Sequence, residues 1–117
     1  LQEAARYLGT PYVWGGYSPS GFDCSGFVSY CLTHSGVRNT GRLTAQGLYD
    51  ICTPVSESDV QPGDLIFFTG TYNAGVPVTH IGIYVGGGQM IHCGHPVQYT
   101  SIYSSYWQSH FYGFGRW

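Results

Sequence analysis

The sequence predicts an α+β domain in which N-terminal helices pack on an antiparallel β-sheet of about five strands. Apolar residues follow helical spacing in the first half of the chain, and from Pro62 onward they follow strands separated by glycine-rich turns. With 117 residues, of which 43% are hydrophobic, the chain suffices for one domain, residues 1–117, around a single core. The chain starts inside a predicted helix without an initiator methionine, so we expect a domain from a longer protein.

Three helices are predicted in the first half. Gln2–Leu8 is the first, and a glycine and a proline end it. The second is the clearest, because Asp23 is a good N-cap, Gly36 is a good stop, and apolar residues recur between them at i, i+3, i+4, i+7 and i+8. These residues are Cys24, Phe27, Val28, Cys31 and Leu32. A loop is expected over Tyr12–Phe22, and Thr44–Ile51 is the third helix.

Strands are predicted in the second half, where apolar and β-branched residues lie between turn signals. They are Leu65–Thr69, Thr79–Val85, Gln89–Cys93, Val97–Tyr103 and Phe111–Trp117. The segment Tyr72–Pro77 is expected to be a loop. Three consecutive glycines between the second and third of these strands predict a hairpin.

The composition argues against two classes of partner. Only 9% of the residues are charged, the four basic residues are all arginine, and the formal net charge is −2. Binding to nucleic acid or to an anionic membrane surface relies on clustered basic residues. No apolar run approaches the ~18 residues that a membrane span needs. We therefore expect no nucleic-acid partner and no membrane insertion by this domain.

Cys24 is a candidate nucleophile because of its place on the second helix. It lies in the first turn, where the helix dipole and unpaired backbone N–H groups favour the thiolate and can hold a developing oxyanion. The competing interpretation is a small buried hydrophobic residue, which is the usual role of a free cysteine.

A thiol nucleophile needs a general base, and two of the five histidines lie on facing strands of one predicted hairpin. If residues 86–88 form a three-residue loop, His80 and His92 share a face and lie within hydrogen-bond reach. A two-residue loop at Gly87 and Gly88 would place them on opposite faces. Gly82, between the histidines in space, is expected to leave room for a helix start to approach.

Six segments, in this order, resemble the catalytic domain of the NlpC-type cell-wall peptidases. They are Tyr12–Gly16 (YVWGG), Phe22–Val28 (FDCSGFV), Arg42–Gln46 (RLTAQ), Pro62–Phe68 (PGDLIFF), His80–Tyr84 (HIGIY) and Met90–His92 (MIH). The resemblance extends from Leu1 to about Gly94. It implies a compact papain-like fold.

The resemblance also implies a role for individual residues. Cys24 would be the nucleophile, His80 the general base and then the acid, and His92 the residue that orients His80. The Tyr12 hydroxyl and the Cys24 backbone N–H would form the oxyanion hole. The residues expected to bind substrate are Tyr12, Trp14, Asp23, Ser25 and Arg42. In some relatives the residues that correspond to Tyr12, Asp23 and Ser25 hold a free amino terminus of the substrate. Arg42 would face a substrate carboxylate. Trp14 would either stack on substrate or pack on the core.

The implied substrate is the stem peptide of bacterial peptidoglycan, cut between γ-D-glutamate and the diamino acid through a thioester. The resemblance implies a secreted monomer in the cell wall that needs no metal or organic cofactor. An alternative within the same fold is an N-acetylmuramoyl-L-alanine amidase, or another acyl transferase, with the same Cys-His-His triad.

Two further interpretations compete with catalysis. The four cysteines would form two disulfides in an extracellular binding module. Alternatively, His92, Cys93 and His95 would bind zinc, although adjacent strand residues point to opposite faces. Cys93 stands where the family commonly has alanine, and we expect it to serve packing. The C-terminal aromatic residues are also expected to pack on the sheet.

Overall fold

A computed structural model describes residues 2–72 and 75–117 of the chain. Leu1 and residues 73 and 74, within the predicted Tyr72–Pro77 loop, lie outside the described residues. The described helices are α1 (Gln2–Ala5), α2 (Cys24–His34), α3 (Ala45–Ile51) and α4 (Ser105–His110). The described strands are β1 (Tyr17–Ser18), β2 (Gly21–Phe22), β3 (Thr53–Val55), β4 (Leu65–Thr69), β5 (Val78–Gly86), β6 (Gln89–Cys93), β7 (Val97–Ser101) and β8 (Phe111–Arg116).

The main sheet confirms the predicted α+β class. Its strand order is β3-β8-β4-β5-β6-β7, and every neighbouring pair is antiparallel. The described sheet has six strands rather than about five, because the short strand β3 after α3 was not predicted. Within the described ranges, every helix is too short or too polar to cross a membrane.

The sheet is buried on both faces. On one face α2 packs against β5 and β6, and its residues Phe27 and Val28 are fully buried. On the other face a second cluster of buried apolar side chains gathers around Phe68; its other members are Ile66, Met90, Ile102 and Phe114. Because β4 lies between the two layers, its residues Leu65 to Phe68 are all inaccessible to solvent.

Three local predictions differ from the structure. Helix α1 ends at Ala5 rather than Leu8, because the next amides bond three residues back and form turns. The segment expected to be loop contains the small hairpin of β1 and β2. Most of the C-terminal aromatic residues expected to pack on the sheet are at least one-third exposed: Tyr99, Tyr103, Tyr106, Tyr112 and Trp117.

The hairpin of β5 and β6 reaches the expected arrangement of its histidines by a different route. Its turn has two residues, Gly87 and Gly88, both with positive φ. A bulge between Tyr84 and Gly86 inserts one residue, which offsets the shorter turn. His80 and His92 therefore share a face: the turn has the two residues of the second alternative, and the bulge produces the arrangement expected from the three-residue loop.

Gly26 sits where the start of α2 meets the backbone of the preceding loop. A Cβ there would overlap the carbonyl oxygen of Gly16 and lie 2.8 Å from Oδ1 of Asp23. We expect Gly26→Ala to lower the free energy of unfolding by about 1–3 kcal/mol, measured by denaturant unfolding. Gly113→Ala is the matched control, because a Cβ at Gly113 meets nothing within 4 Å. Equal stability of the two variants would contradict this account of the helix start.

Candidate active site

Asp23 is the N-cap of α2, as predicted, and its carboxylate is fully engaged. Oδ1 accepts the backbone N–H of Gly26 at 2.6 Å and the Ser25 hydroxyl at 3.3 Å. Oδ2 accepts the backbone N–H of Gly15 at 3.1 Å and Nη2 of Arg42 at 2.6 Å. Because a carboxylate offers about four lone-pair positions, these contacts leave none for a further donor.

Cys24, the first residue of α2, presents its thiol to the start of β5. Its Sγ lies 3.8 Å from the carbonyl oxygen of Thr79, and the backbone N–H of Ile81 also faces the sulfur. These two residues flank His80, so the thiol contacts the strand backbone on both sides of this histidine. The side chain is largely buried but lines a surface cleft.

The ionisation of Cys24 is set by burial rather than by its helix position. Burial, together with the neighbouring Asp23 carboxylate, raises the pKa of the thiol to about 11. The backbone N–H groups of Ser25 and Ile81 act in the opposite direction, with a smaller effect. The helix start alone favours a thiolate, but in this structure burial outweighs it and keeps Cys24 neutral at pH 7.

His80 and His92 form a hydrogen-bonded pair between β5 and β6. Nε2 of His80 lies 2.9 Å from Nδ1 of His92, and Nε2 of His92 lies 2.9 Å from the Thr100 hydroxyl on β7. The structure thus joins His80, His92 and Thr100 into one chain of polar contacts. Nδ1 of His80 is the ring nitrogen left for a reaction partner.

Burial also determines the charge of this pair. It lowers the pKa of His80 to about 3, with a further contribution from His92, and lowers the pKa of His92 to about 4. Both imidazoles are neutral at pH 7, so His80 is able to accept a proton there. Gly82 serves the pair, and not the helix start as expected: a Cβ on Gly82 would lie 2.9 Å from Met90 Sδ and 3.2 Å from His92 Cβ.

The Cys24 thiol opens on a cleft of about 590 Å³ between the α2 start, α3 and the loop before β5. Trp14 and Tyr72 stand at its rim in an edge-to-face contact of 5.4 Å between ring centroids. Trp14 is 72% exposed, so it does not pack on the core. Tyr12 also lines the cleft, and burial raises the pKa of its hydroxyl to about 12, which keeps it a hydrogen-bond donor.

Arg42 is held by protein groups at the wall of this cleft. Besides its ion pair with Asp23, its Nη1 donates to the Ser25 hydroxyl at 3.0 Å and to the Leu43 carbonyl at 2.9 Å. Its guanidinium also lies 5.9 Å from the centroid of the Tyr17 ring. The structure therefore places a protein carboxylate opposite Arg42, the position that the resemblance gives to a substrate carboxylate.

Sequence reasoning missed two residues that position the site. Thr100 lies on β7, which pairs with the strand β6 that carries His92. Nothing in the sequence distinguishes it from the other hydroxyl residues. Gln46 lies in one of the six family segments, and its Oε1 accepts the backbone N–H of Val78 at 2.9 Å. This bond fixes the beginning of β5 to α3, two residues before His80.

The structure supports neither the disulfide interpretation nor the zinc interpretation. All four cysteines are free thiols, which argues against the disulfide module. Cys93 is buried and its Sγ donates to the carbonyl oxygen of Phe22, whereas His92 turns to His80 and Thr100. In the part of the chain that the structure describes, no three His, Cys, Asp or Glu side chains are grouped to hold a metal ion.

Comparison with known proteins places this geometry in a family. The NlpC/P60 family model matches residues 9–116. A Listeria seeligeri protein named "Probable endopeptidase p60" is 47% identical over 99% of this chain and 21% of its own length. The bifunctional muramidase/DL-endopeptidase CwlT of Bacillus subtilis is 43% identical over 99% of this chain and 35% of its own length.

A crystal structure of an NLP/P60 family protein from Staphylococcus aureus has the same fold. It is 45% identical, with a TM-score of 0.93 over 98% of this chain and 39% of that one. The chain belongs to the NlpC/P60 family. It spans about a fifth to a third of the length of these two curated relatives, 21% and 35%.

His92, which is buried, and His80, which is partly buried, make stability depend on pH. Their pKa values are lower in the folded state than in the unfolded chain, so the unfolded state binds more protons as the pH falls below about 6.5. Stability is therefore lost progressively from about pH 6.5 down to the folded-state pKa values, about 4 for His92 and about 3 for His80. We expect His92→Gln to reduce this slope by up to about 1.4 kcal/mol per pH unit, measured by denaturant unfolding at each pH.

His34→Gln is the matched control, because His34 lies at the exposed end of α2. It should keep the slope of the wild-type protein. The same slope in His92→Gln and in wild type would show that His92 is not buried in its neutral form.

Proposed function

We propose that this domain is a cysteine endopeptidase that hydrolyses the bond between γ-D-glutamate and the diamino acid of peptidoglycan stem peptides. The observation that carries the proposal is the contact of the Cys24 thiol with the backbone on both sides of His80, whose ring is bonded to His92. The names of the relatives, which describe an endopeptidase and a DL-endopeptidase, support this reaction class.

Acylation begins from the neutral pair that burial favours. The thiol hydrogen turns from the Thr79 carbonyl to Nδ1 of His80, and Sγ attacks the γ-carbonyl carbon of D-glutamate as the proton moves to the imidazole. The tetrahedral oxyanion then collapses to a thioester. The C–N bond breaks, and the imidazolium returns the proton to the leaving amine.

Deacylation uses the same groups in reverse. His80 takes a proton from water, whose oxygen attacks the thioester carbon, and the C–S bond breaks to release the D-glutamate carboxyl. The sulfur leaves with the proton that His80 held. Every proton moves between the thiol, the imidazole, the amine and water, and this mechanism needs neither a metal ion nor an organic cofactor.

Two groups would stabilise the oxyanion. The Cys24 backbone N–H, at the first position of α2, lacks a partner within its own helix by geometry. The Tyr12 hydroxyl lines the same cleft and stays protonated near neutral pH. His92 would hold His80 through the Nε2–Nδ1 bond and accept a hydrogen bond from the imidazolium, the part that an Asp or Asn plays in related triads.

The Asp23 carboxylate, whose acceptor positions are all occupied, would determine which stem peptides the cleft accepts. A free amino terminus needs an unoccupied acceptor, but the four lone-pair positions of Asp23 are already filled by Gly15, Ser25, Gly26 and Arg42. We therefore propose that the substrate is a stem peptide whose amino terminus is acylated, as in the intact wall. Trp14 and Tyr72, at the rim, would pack on the peptide, and Ser25 acts through Arg42 and Asp23.

This substrate also defines the setting of the domain. A peptidoglycan hydrolase acts in the cell wall, outside the membrane, and we propose this location for the domain. The proposed partner is the stem peptide, and a monomer suffices because the nucleophile, the base and the cleft all belong to one chain.

The first test is a digest of defined muropeptides analysed by mass spectrometry. We expect the wild-type domain to release fragments that end in D-glutamate, together with products that carry a free diamino acid amine. Cys24→Ala should lower the rate by at least about 10⁴-fold, because Cys24 is the cysteine that lines the cleft. Cys52→Ala, a partly exposed cysteine remote from the cleft, should retain wild-type activity.

The same digest separates the alternatives. Release of a whole stem peptide would identify an N-acetylmuramoyl-L-alanine amidase instead. Each peptide is supplied with a free and with an acylated amino terminus, and we expect the acylated form to be cut at least as fast. A tenfold or greater preference for the free amine would overturn the proposal for Asp23.

The roles of the two histidines predict an order of effects. His80→Ala removes the group that moves the proton and should reduce kcat by about 10²- to 10⁴-fold. His92→Ala leaves this imidazole in place without its partner, so the loss should be smaller. Steady-state kinetics on one muropeptide measures both variants, with His34→Ala as control. A larger loss in His92→Ala would reverse the assignments of base and orienting residue.

A further inference from the structure

The indole of Trp107, on α4, lies over both histidines. Its ring stacks on His80, with 5.2 Å between centroids and 27° between planes. It meets His92 edge to face, with 5.2 Å between centroids and 86° between planes. One side chain thus contacts the two imidazoles in two different orientations.

These contacts fix the planes of the histidine rings relative to each other. Phe68 of β4 lies 6.0 Å from His80 and 4.7 Å from Trp107, so the indole and the imidazole share one aromatic cluster. The planes of His80 and His92 meet at 84°. A hydrogen bond between imidazoles depends on the direction of the donor and acceptor nitrogens, and tilting of either ring would misalign it.

Helix α4 is anchored so that it can hold the indole in this place. The Ser104 hydroxyl accepts the backbone N–H of Trp107 at 3.4 Å, which caps the helix. The side chain of Gln108 donates to the carbonyl oxygen of Ile102 at 2.6 Å. At the helix end, the ring of His110 lies 2.8 Å from the Thr69 carbonyl of β4.

The electrostatics of the cluster agree with a role in the reaction. The titratable group that contacts the His80 ring is His92 from β6, while Phe68 and Trp107 carry no charge; the Cys24 thiol from α2 meets the backbone on either side of His80. The indole excludes water from one face of His80, and an indole face also attracts an imidazolium when one forms. The exclusion of water favours neutral His80 in the resting state. The attraction to the indole favours the His80 imidazolium that forms after proton transfer.

We propose that Trp107 is a positioning residue, which holds His80 so that Nε2 meets His92 and Nδ1 stays available to the Cys24 thiol. The proposal rests on the function proposed above, because it assigns a purpose to the orientation of His80. It concerns the opposite face of the sheet from the cleft that binds substrate.

The test compares Trp107→Ala and Trp107→Phe with wild type. We expect Trp107→Ala to lower kcat at least tenfold with little change in KM, because the cleft is intact. Without the indole, water reaches His80, and the acid limb of the kcat/KM profile should move to higher pH. Trp107→Phe keeps an aromatic face and should restore most of both properties. Tyr99→Ala, an exposed aromatic residue on β7, is the control and should behave as wild type.

A second measurement does not depend on substrate. NMR titration of His80, assigned with His80→Gln, should show that it protonates at a higher pH in Trp107→Ala than in wild type. Unchanged titration and an unchanged kcat in a folded Trp107→Ala protein would overturn the proposal. If wild type cuts no muropeptide but the titration still shifts, the proposed function fails while the positioning role of Trp107 stands.

Discussion

The carboxylate of Asp23 connects the parts of the chain that form the cleft. Its hydrogen bonds reach the loop at Gly15, the first turn of α2 at Gly26, and Arg42, which lies 19 positions along the chain. Buried carboxylates are stable only when paired and hydrogen-bonded. The position of the Cys24 backbone, and therefore of the sulfur, follows from this single group, since the same residue caps the helix that Cys24 begins.

Burial has opposite effects on the pKa values of the Cys24 thiol and of His80, and both effects favour the neutral form of the two groups. It raises the pKa of the Cys24 thiol and lowers the pKa of His80, so both groups are uncharged before substrate arrives. In the proposed mechanism charge develops only as the sulfur attacks, where fixed dipoles at the helix start and the hydrogen bond to His92 would stabilise it. The electrostatics of the pair would therefore act mainly in the transition state.

Sequence patterns predicted the helices and strands that depend only on residues close together in the chain. The cap at Asp23 and the spacing after Cys24 suffice for α2, and strand alternation suffices to bring His80 and His92 to one face once the bulge is allowed for. The ion pair between Arg42 and Asp23 could not be predicted, because it joins residues that only the folded chain brings together. Helix α4 was missed because Tyr106 and Trp107 have strand preference, which the Ser104 cap and the packing of Trp107 on Phe68 override.

The two faces of the sheet contribute different residues to the site. Helix α2 and the cleft beside Cys24 lie on one face, whereas Trp107 and Phe68 lie on the other and contact the His80 ring. The strand β5 is the element that both faces share, and its backbone at Thr79 and Ile81 meets the sulfur. Because the proposed substrate contacts and the histidine contacts come from separate layers, a change at Trp14 or Tyr72 would alter specificity without moving the proposed general base.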